Sequence, residues 1–310
     1  MISVAVCTLN PRLDYFERCI AAIRAQRFPA NEYELFVVDN GSNPPVAELE
    51  IVRRLDIRVI REERPGLTAA RECAARSAQH ELLIFVDDDN VLNKDYLSQA
   101  ARLFEDSRIG YLSGEILPEY EVPPPRWLGR FEAILAIRRF PSDRVYLTSV
   151  PEYNKYFPVG AGCCIRRSIL RDYFDSLSSF GRIEGRLGNS LASGEDQDIG
   201  MYALSRGFYV GSTSRLKVSH LIPKSRLSLA YLKRLSLTSI DGAHLVNQKW
   251  RKVFGGDVMP VLTVDADLLL AKAVICWLLA FFSARYALPA VVYRRILQLR
   301  RSAARRASDF

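Results

Sequence analysis

Leu82-Leu83-Ile84-Phe85-Val86 is apolar at every position and runs straight into Asp87-Asp88-Asp89. An apolar run without polar alternation suits a strand covered on both faces, as in the middle of a parallel sheet. Such a sheet needs crossover connections, and the first half of the chain supplies them. Runs rich in β-formers at Ile2–Thr8, Glu34–Val38 and Ile57–Ile60 alternate with helical stretches, the pattern of βαβ units. Asn10-Pro11 reads as a helix cap and first-turn proline, with Phe16, Ile20 and Ile23 following at helical spacing. Pro65-Gly66 opens a helix reaching Ser77. The expected fold class is α/β, a Rossmann-like α/β/α sandwich with a mostly parallel central sheet.

After the acidic triplet, a helix near Lys94–Phe104 and a strand near Ile109–Leu117 are expected, and Pro123–Pro125 breaks the rhythm. Phe157–Arg166 reads as a strand, Ser176–Gly194 as a mobile Gly- and Ser-rich loop, and Glu195–Arg206 as a helix. Two short strands, near Phe208–Val210 and Leu216–Val218, lead to His220. The chain of 310 residues is 49% hydrophobic and 25% charged, which excludes general disorder. Its net charge of +8 owes much to Arg294-Arg295, Arg300-Arg301 and Arg305-Arg306, so it describes the tail more than a catalytic face. The 6 cysteines are scattered without a CxxC pair, which favours reduced thiols in the cytoplasm over a disulfide framework or a zinc site. The N-terminus enters a strand at once and shows no secretory signal.

Three features carry chemistry. Carboxylates at the carboxyl end of a parallel strand sit where open α/β sheets bind ligands, and three adjacent ones invite a divalent cation. Strand alternation would put Asp87 and Asp89 on one side and Asp88 on the other. A solvated acidic turn is the plain alternative. Glu195-Asp196-Gln197-Asp198 opens a helix, where one or two acids serve as caps. It has three, and one could be a general base. His220 follows a short strand downstream of both motifs, although a lone histidine is more often structural.

Together these features resemble the family 2 glycosyltransferases with a GT-A fold, over roughly Ile2 to Arg226. The markers come in order: Val4-Ala5-Val6-Cys7-Thr8-Leu9-Asn10, Val37-Val38-Asp39-Asn40-Gly41-Ser42, Pro65-Gly66-Leu67-Thr68-Ala69-Ala70-Arg71 and Asp87–Asp89. Gly160-Ala161-Gly162, Glu195-Asp196 and His220 complete them. Val122–Pro125 with Trp127, and Glu152–Gly162, are similar to a subgroup associated with exopolysaccharide synthesis. Cys73 departs from the common pattern, in which an Asn often follows the Arg.

The resemblance implies an inverting transfer of a sugar from a nucleotide-sugar donor, UDP-linked by first choice, to a saccharide or lipid-linked acceptor hydroxyl. Thr8, Asn10 and Asp39 would line the base pocket, with Asn40 beside them and Arg71 near the base or diphosphate. Asp87 would meet the ribose or sugar, with Asp88 completing the donor set. Gly160 and Gly162 would let backbone approach the sugar. Asp89, with His220, would hold Mn²⁺ or Mg²⁺, Asp196 would be the catalytic base, and Glu195 would orient the acceptor.

Residues 1–226 form the expected catalytic domain, and 227–310 a helical, apolar and Arg-rich segment. Leu227–Leu245 reads as an amphipathic helix carrying Lys233 and Arg234. Asp265–Tyr293 is apolar but interrupted by Lys272 and Arg285, and its uncharged core, Ala273–Ala284, is shorter than the ~20 residues a bilayer span needs. An in-plane helix at the cytoplasmic face of the cell membrane is expected, against the alternative of a helical pair packed on the catalytic domain or in a dimer. Competing functions are a non-catalytic scaffold of the same fold and a polyanion-binding protein. Nucleic acid is not an expected partner, because the central motifs are acidic and lack aromatic–basic interleaving.

Overall fold

The computed structural model describes residues 1–183, 185–186, 190–191, 193–260, 266–280 and 284–308. The strands among them are β1 (Ile2–Thr8), β2 (Tyr33–Asp39), β3 (Arg58–Arg61), β4 (Leu82–Asp87), β5 (Asn90–Leu92), β6 (Ile109–Tyr120), β7 (Val145–Thr148), β8 (Cys164–Arg166) and β9 (Tyr209–Ile222). The helices are α1 (Leu13–Arg24), α2 (Glu50–Arg54), α3 (Leu67–Ser77), α4 (Tyr96–Leu103), α5 (Arg167–Phe180), α6 (Glu195–Ser205), α7 (Leu229–Phe254), α8 (Ala266–Ala280) and α9 (Ala284–Ser308).

All the described strands join one sheet in the order β3-β2-β1-β4-β8-β6-β9-β5, with β7 also on β9. β3, β2, β1 and β4 run parallel, as do β6 and β9, while β8, β5 and β7 pair antiparallel. Side chains of β1 and β4 alternate between two cores. Val4, Val6, Ile84 and Val86 meet Phe16, Ile20 and Ile23 of α1 on one face. Ala5, Leu83 and Phe85 face Ala70 and Ala74 of α3, Tyr173 of α5 and Trp250 of α7 on the other. The uninterrupted apolarity of β4 follows from this double cover.

The chain moves outward from β1 to β2 and β3, then returns to the far side of β1 as β4. This is a topological switch point, where the carboxyl ends of β1 and β4 diverge and leave a crevice. Register sets Thr8 opposite Asp39 and Cys7 opposite Asp87 on that edge.

Several local expectations change. Asn10 does not cap α1, which starts at Leu13 after Arg12 without a side-chain cap. Asn10 is left-handed at φ 50°, and its side chain instead accepts the Asn43 N–H at 2.9 Å. The strand expected over Phe157–Arg166 is confined to Cys164–Arg166, after a turn with Gly162 at φ 60°. The loop expected from Ser176 begins only after α5 ends at Phe180, and residues 184, 187–189 and 192 of it lie outside the described residues. The two short strands before His220 are one strand, β9, with a register shift opposite Gly114–Glu115. Its Ser212 is satisfied by Ser113 and the Tyr156 carbonyl, so a serine-rich stretch that reads as a break remains strand.

The C-terminal helices pack on the body of the protein. Trp250 of α7 is fully buried, and Leu288, Ile296 and Leu297 of α9 are buried as well. Arg295 of α9 pairs with Asp241 of α7 at 2.7 Å. α8 differs, because Leu268, Leu270, Val274, Ile275, Trp277 and Leu278 are exposed. No helix among the described residues is long and apolar enough to cross a membrane. Residues 265 and 281–283 of the expected apolar stretch, and the side chains of Arg301, Arg305 and Arg306, lie outside the described set.

Candidate active site

The switch-point crevice is built from turn chemistry. Asp39 is 1% exposed, and its carboxylate accepts the Ser42 N–H at 2.8 Å, the Val46 N–H at 3.0 Å and Arg61 Nη1 at 2.7 Å. Burial opposes its ionisation, but those donors and the Ser42 hydroxyl prevail and hold it below the usual carboxylate range. Asn40 accepts the Gly66 N–H at 2.7 Å and donates to the Glu62 and Arg64 carbonyls, latching the entry of α3 to the end of β2. The Asn10 backbone N–H donates to the Ser42 hydroxyl oxygen at 2.8 Å. Thr8 at the end of β1 donates to Asp88 at the end of β4, which ties the two lips of the crevice together.

β4 ends at Asp87, so strand alternation does not extend to Asp88 and Asp89, which lie in the turn leading to β5. Burial and the Asp89 charge raise the Asp87 carboxyl, against the pull of Arg71. Asp88 is raised by burial and by Asp89. Asp89 behaves oppositely. Burial disfavours its charge, but His220, Arg226 and Arg186 overcome this and hold the carboxyl well below its ordinary value.

Asp89 Oδ2 lies 3.5 Å from His220 Nε2 and 2.8 Å from Arg226 Nη1. Asn90 donates to Asp89 Oδ1 at 2.8 Å. His220 sits within β9, register-paired with Asn90 of β5, and its Nδ1 is 3.1 Å from the Leu135 carbonyl. Only a protonated Nδ1 can donate there, which in a neutral imidazole leaves the Nε2 lone pair to accept from Arg226 Nη1, 3.1 Å away. The structure thus brings Asp89 and His220 together. Among the described residues no three His, Cys, Asp or Glu side chains are grouped to hold an ion.

The three acids that open α6 have separate tasks. Glu195, 2% exposed, faces inward and pairs with Arg71 Nη1 at 3.4 Å. Asp196 is half-buried, and its Oδ2 accepts the Gly160 N–H at 3.3 Å. Asp198 accepts Tyr173 Oη and Lys249 Nζ, each at 2.8 Å, and Trp250 Nε1 at 2.5 Å, so it anchors α7. Arg71 is buried beneath Gly160, with its guanidinium 5.5 Å from the Phe85 ring centroid. A Cβ at Gly160 would overlap that guanidinium, and one at Gly162 would press on Val218.

Arg71 links the two acidic motifs, because it pairs with Glu195 at 3.4 Å and covers Phe85, two residues before Asp87. Cys163 lies beside the same strand, its carbonyl accepting the Phe85 N–H at 2.9 Å. Burial pushes its thiol up to about 12, Arg71 pulls against this, and both Asp87 and Asp196 push it further. Sequence reasoning missed Arg226, Leu135 and the Lys249–Trp250 clasp. Arg226 lies outside every motif, and the other two act through a carbonyl and through a helix distant in sequence.

Residues 3–174 match the Glycosyl transferase family 2 model, more than half of the chain. The chain belongs to that family and is a glycosyltransferase with a GT-A-like fold. It is similar to the succinoglycan biosynthesis protein ExoM of Rhizobium meliloti (strain 1021), at 23% identity over 96% of this chain and 91% of that protein. The fold is similar to that of S. aureus TarS 1-349 in complex with UDP, with a TM-score of 0.52 and 16% identity over 97% of this chain and 91% of that one. It is also similar to GalNAc-T7 with UDP, GalNAc and Mn²⁺, with a TM-score of 0.51 and 16% identity over 76% of this chain and 48% of that one. Asp196 and His220 lie beyond the stretch matched by the family model.

Proposed function

We propose that the protein is an inverting glycosyltransferase of polysaccharide or glycolipid synthesis, using a nucleoside-diphosphate sugar that is UDP-linked by first choice. One observation carries this reading: buried Arg71 pairs with Glu195 at 3.4 Å, lies under Gly160, whose N–H meets Asp196, and covers Phe85 of the strand that ends at Asp87, so donor-side and acceptor-side carboxylates border one site. The similarity to a succinoglycan biosynthesis protein over nearly the whole chain supports the polysaccharide setting.

Thr8, Asn10, Asp39 and Asn40 shape the base end of the crevice, and Asp39 does so through the turn it organises. Asp87 and Asp88 face the ribose and sugar. Asp89 Oδ2 and His220 Nε2, 3.5 Å apart, suit two ligands of one ion at ordinary bond lengths of about 2.0–2.2 Å, with remaining positions left to diphosphate oxygens and water. A divalent cation there would stabilise negative charge growing on the departing diphosphate. Asp196 takes the proton of the attacking hydroxyl, and a single displacement inverts the anomeric centre. Glu195 acts from inside, fixing Arg71 under the Gly160 turn that meets Asp196. A thermal-shift screen of UDP-, GDP- and dTDP-sugars with and without Mn²⁺ tests the reading. Stabilisation by one nucleotide sugar that grows with Mn²⁺ is expected, and a flat response across the screen refutes it.

The exposed apolar side chains of α8 favour a second reading for the C-terminal segment, contact with the cytoplasmic face of an anionic membrane. The arginines that follow in the sequence suit acidic headgroups, and a lipid-linked acceptor would be presented there. Co-flotation with vesicles containing phosphatidylglycerol, lost in Trp277→Asp, is the expected result. Equal flotation of both proteins would exclude α8 as the contact.

A further inference from the structure

Arg226 belongs to no motif, yet it occupies the most crowded position in the site. It lies on the Lys224–Leu227 turn after β9, and its side chain is 21% exposed. Its Nη1 is 2.8 Å from Asp89 Oδ2 and 3.1 Å from His220 Nε2. One guanidinium nitrogen thus bridges the two atoms proposed above as metal ligands and uses the His220 lone pair that an ion would need. Arg226 and a cation cannot hold these two atoms together.

Resting on the metal reading above, we infer that Arg226 is an exchangeable cation: it fills the site without donor and moves to the donor's diphosphate when metal and nucleotide enter together. A metal alone would strand the guanidinium near Asp89, away from its carboxylate partner, which is unfavourable for a mostly buried charge. A metal arriving with a diphosphate supplies two new anionic groups, and a guanidinium forks well onto phosphate oxygens. Metal and nucleotide binding are therefore coupled, and by linkage each tightens the other to the same degree.

Titration of Mn²⁺ followed by the EPR signal of the free ion tests this, on wild type, Arg226→Gln and Arg226→Lys, alone and with UDP, GDP or dTDP. Wild type should bind Mn²⁺ about tenfold or more tightly when the right nucleotide is present. Arg226→Gln should bind Mn²⁺ alone more tightly than wild type and lose most of the nucleotide effect, with Arg226→Lys between them. Equal coupling in wild type and Arg226→Gln overturns the exchange while leaving the metal site standing. No Mn²⁺ binding by wild type with any of the three nucleotides overturns the metal reading and the exchange with it.

Discussion

Gly160 donates its backbone N–H to the Asp196 carboxylate at 3.3 Å, so the candidate base is held from the turn opposite α6. Asp196→Asn preserves size and the acceptor for that N–H but removes proton affinity. Turnover should fall about 100- to 10,000-fold, while donor binding by thermal shift stays at the wild-type level. Near-normal turnover by the variant would rule out Asp196 as the base.

Arg71 and Glu195 are both nearly inaccessible, so removing Arg71 takes a guanidinium away from a buried carboxylate. Arg71→Ala should cost about 3–5 kcal/mol in urea unfolding. Arg71→Lys should recover part of the stability but less of the activity, because a single ammonium cannot both reach Glu195 and fill the space under Gly160. A loss below 1 kcal/mol, on the order of a surface pair, would show that the pair is not held as described.

Asp39 gives a pH signature. Its native carboxyl titrates below the ordinary 3.8, so its stabilisation is complete above that value and is lost as pH falls through the lowered one. Asp39→Asn should cost about 2 kcal/mol at neutral pH and flatten the acid limb of a stability–pH curve below about pH 4. Parallel acid limbs in the two proteins would mean that Asp39 is not the group responsible.

Gly242 of α7 rests on the Ser193 carbonyl so closely that a Cβ would overlap it. Gly242→Ala should push Ser193-Gly194 away from the start of α6 and lower kcat more than it raises donor KM. Leu245→Ala, three residues on at an exposed position, is the control and should leave both unchanged. Unaltered kcat in Gly242→Ala would show that the contact does not reach Asp196.

The central sheet was legible because its signal is local: β4 is apolar up to its last residue, Asp39-Asn40-Gly41-Ser42 closes β2, and Pro65-Gly66 precedes α3. The acidic motifs were legible for the same reason. The partners of those motifs were not. Arg226 reaches Asp89 across 137 positions of sequence, and Asp198 reaches Trp250 across 52, through contacts that no periodicity announces. β9 was split in reading because serines look like a break, although Ser113 and the Tyr156 carbonyl satisfy Ser212 inside the sheet. The inward turn of Glu195, expected to orient the acceptor, was not legible either, because nothing near it in sequence announces the buried Arg71 it pairs with.

α7 runs for 26 residues, about 39 Å of continuous rod. It begins three residues after Arg226, seats Ser193 at mid-length, and clasps Asp198 through Lys249 and Trp250 near its end. One strut therefore braces the Asp89–His220 corner and the Asp196 corner alike. A truncation made after Arg226 would take down a wall of the reaction chamber, and its loss of turnover would say nothing about where the enzyme resides in the cell.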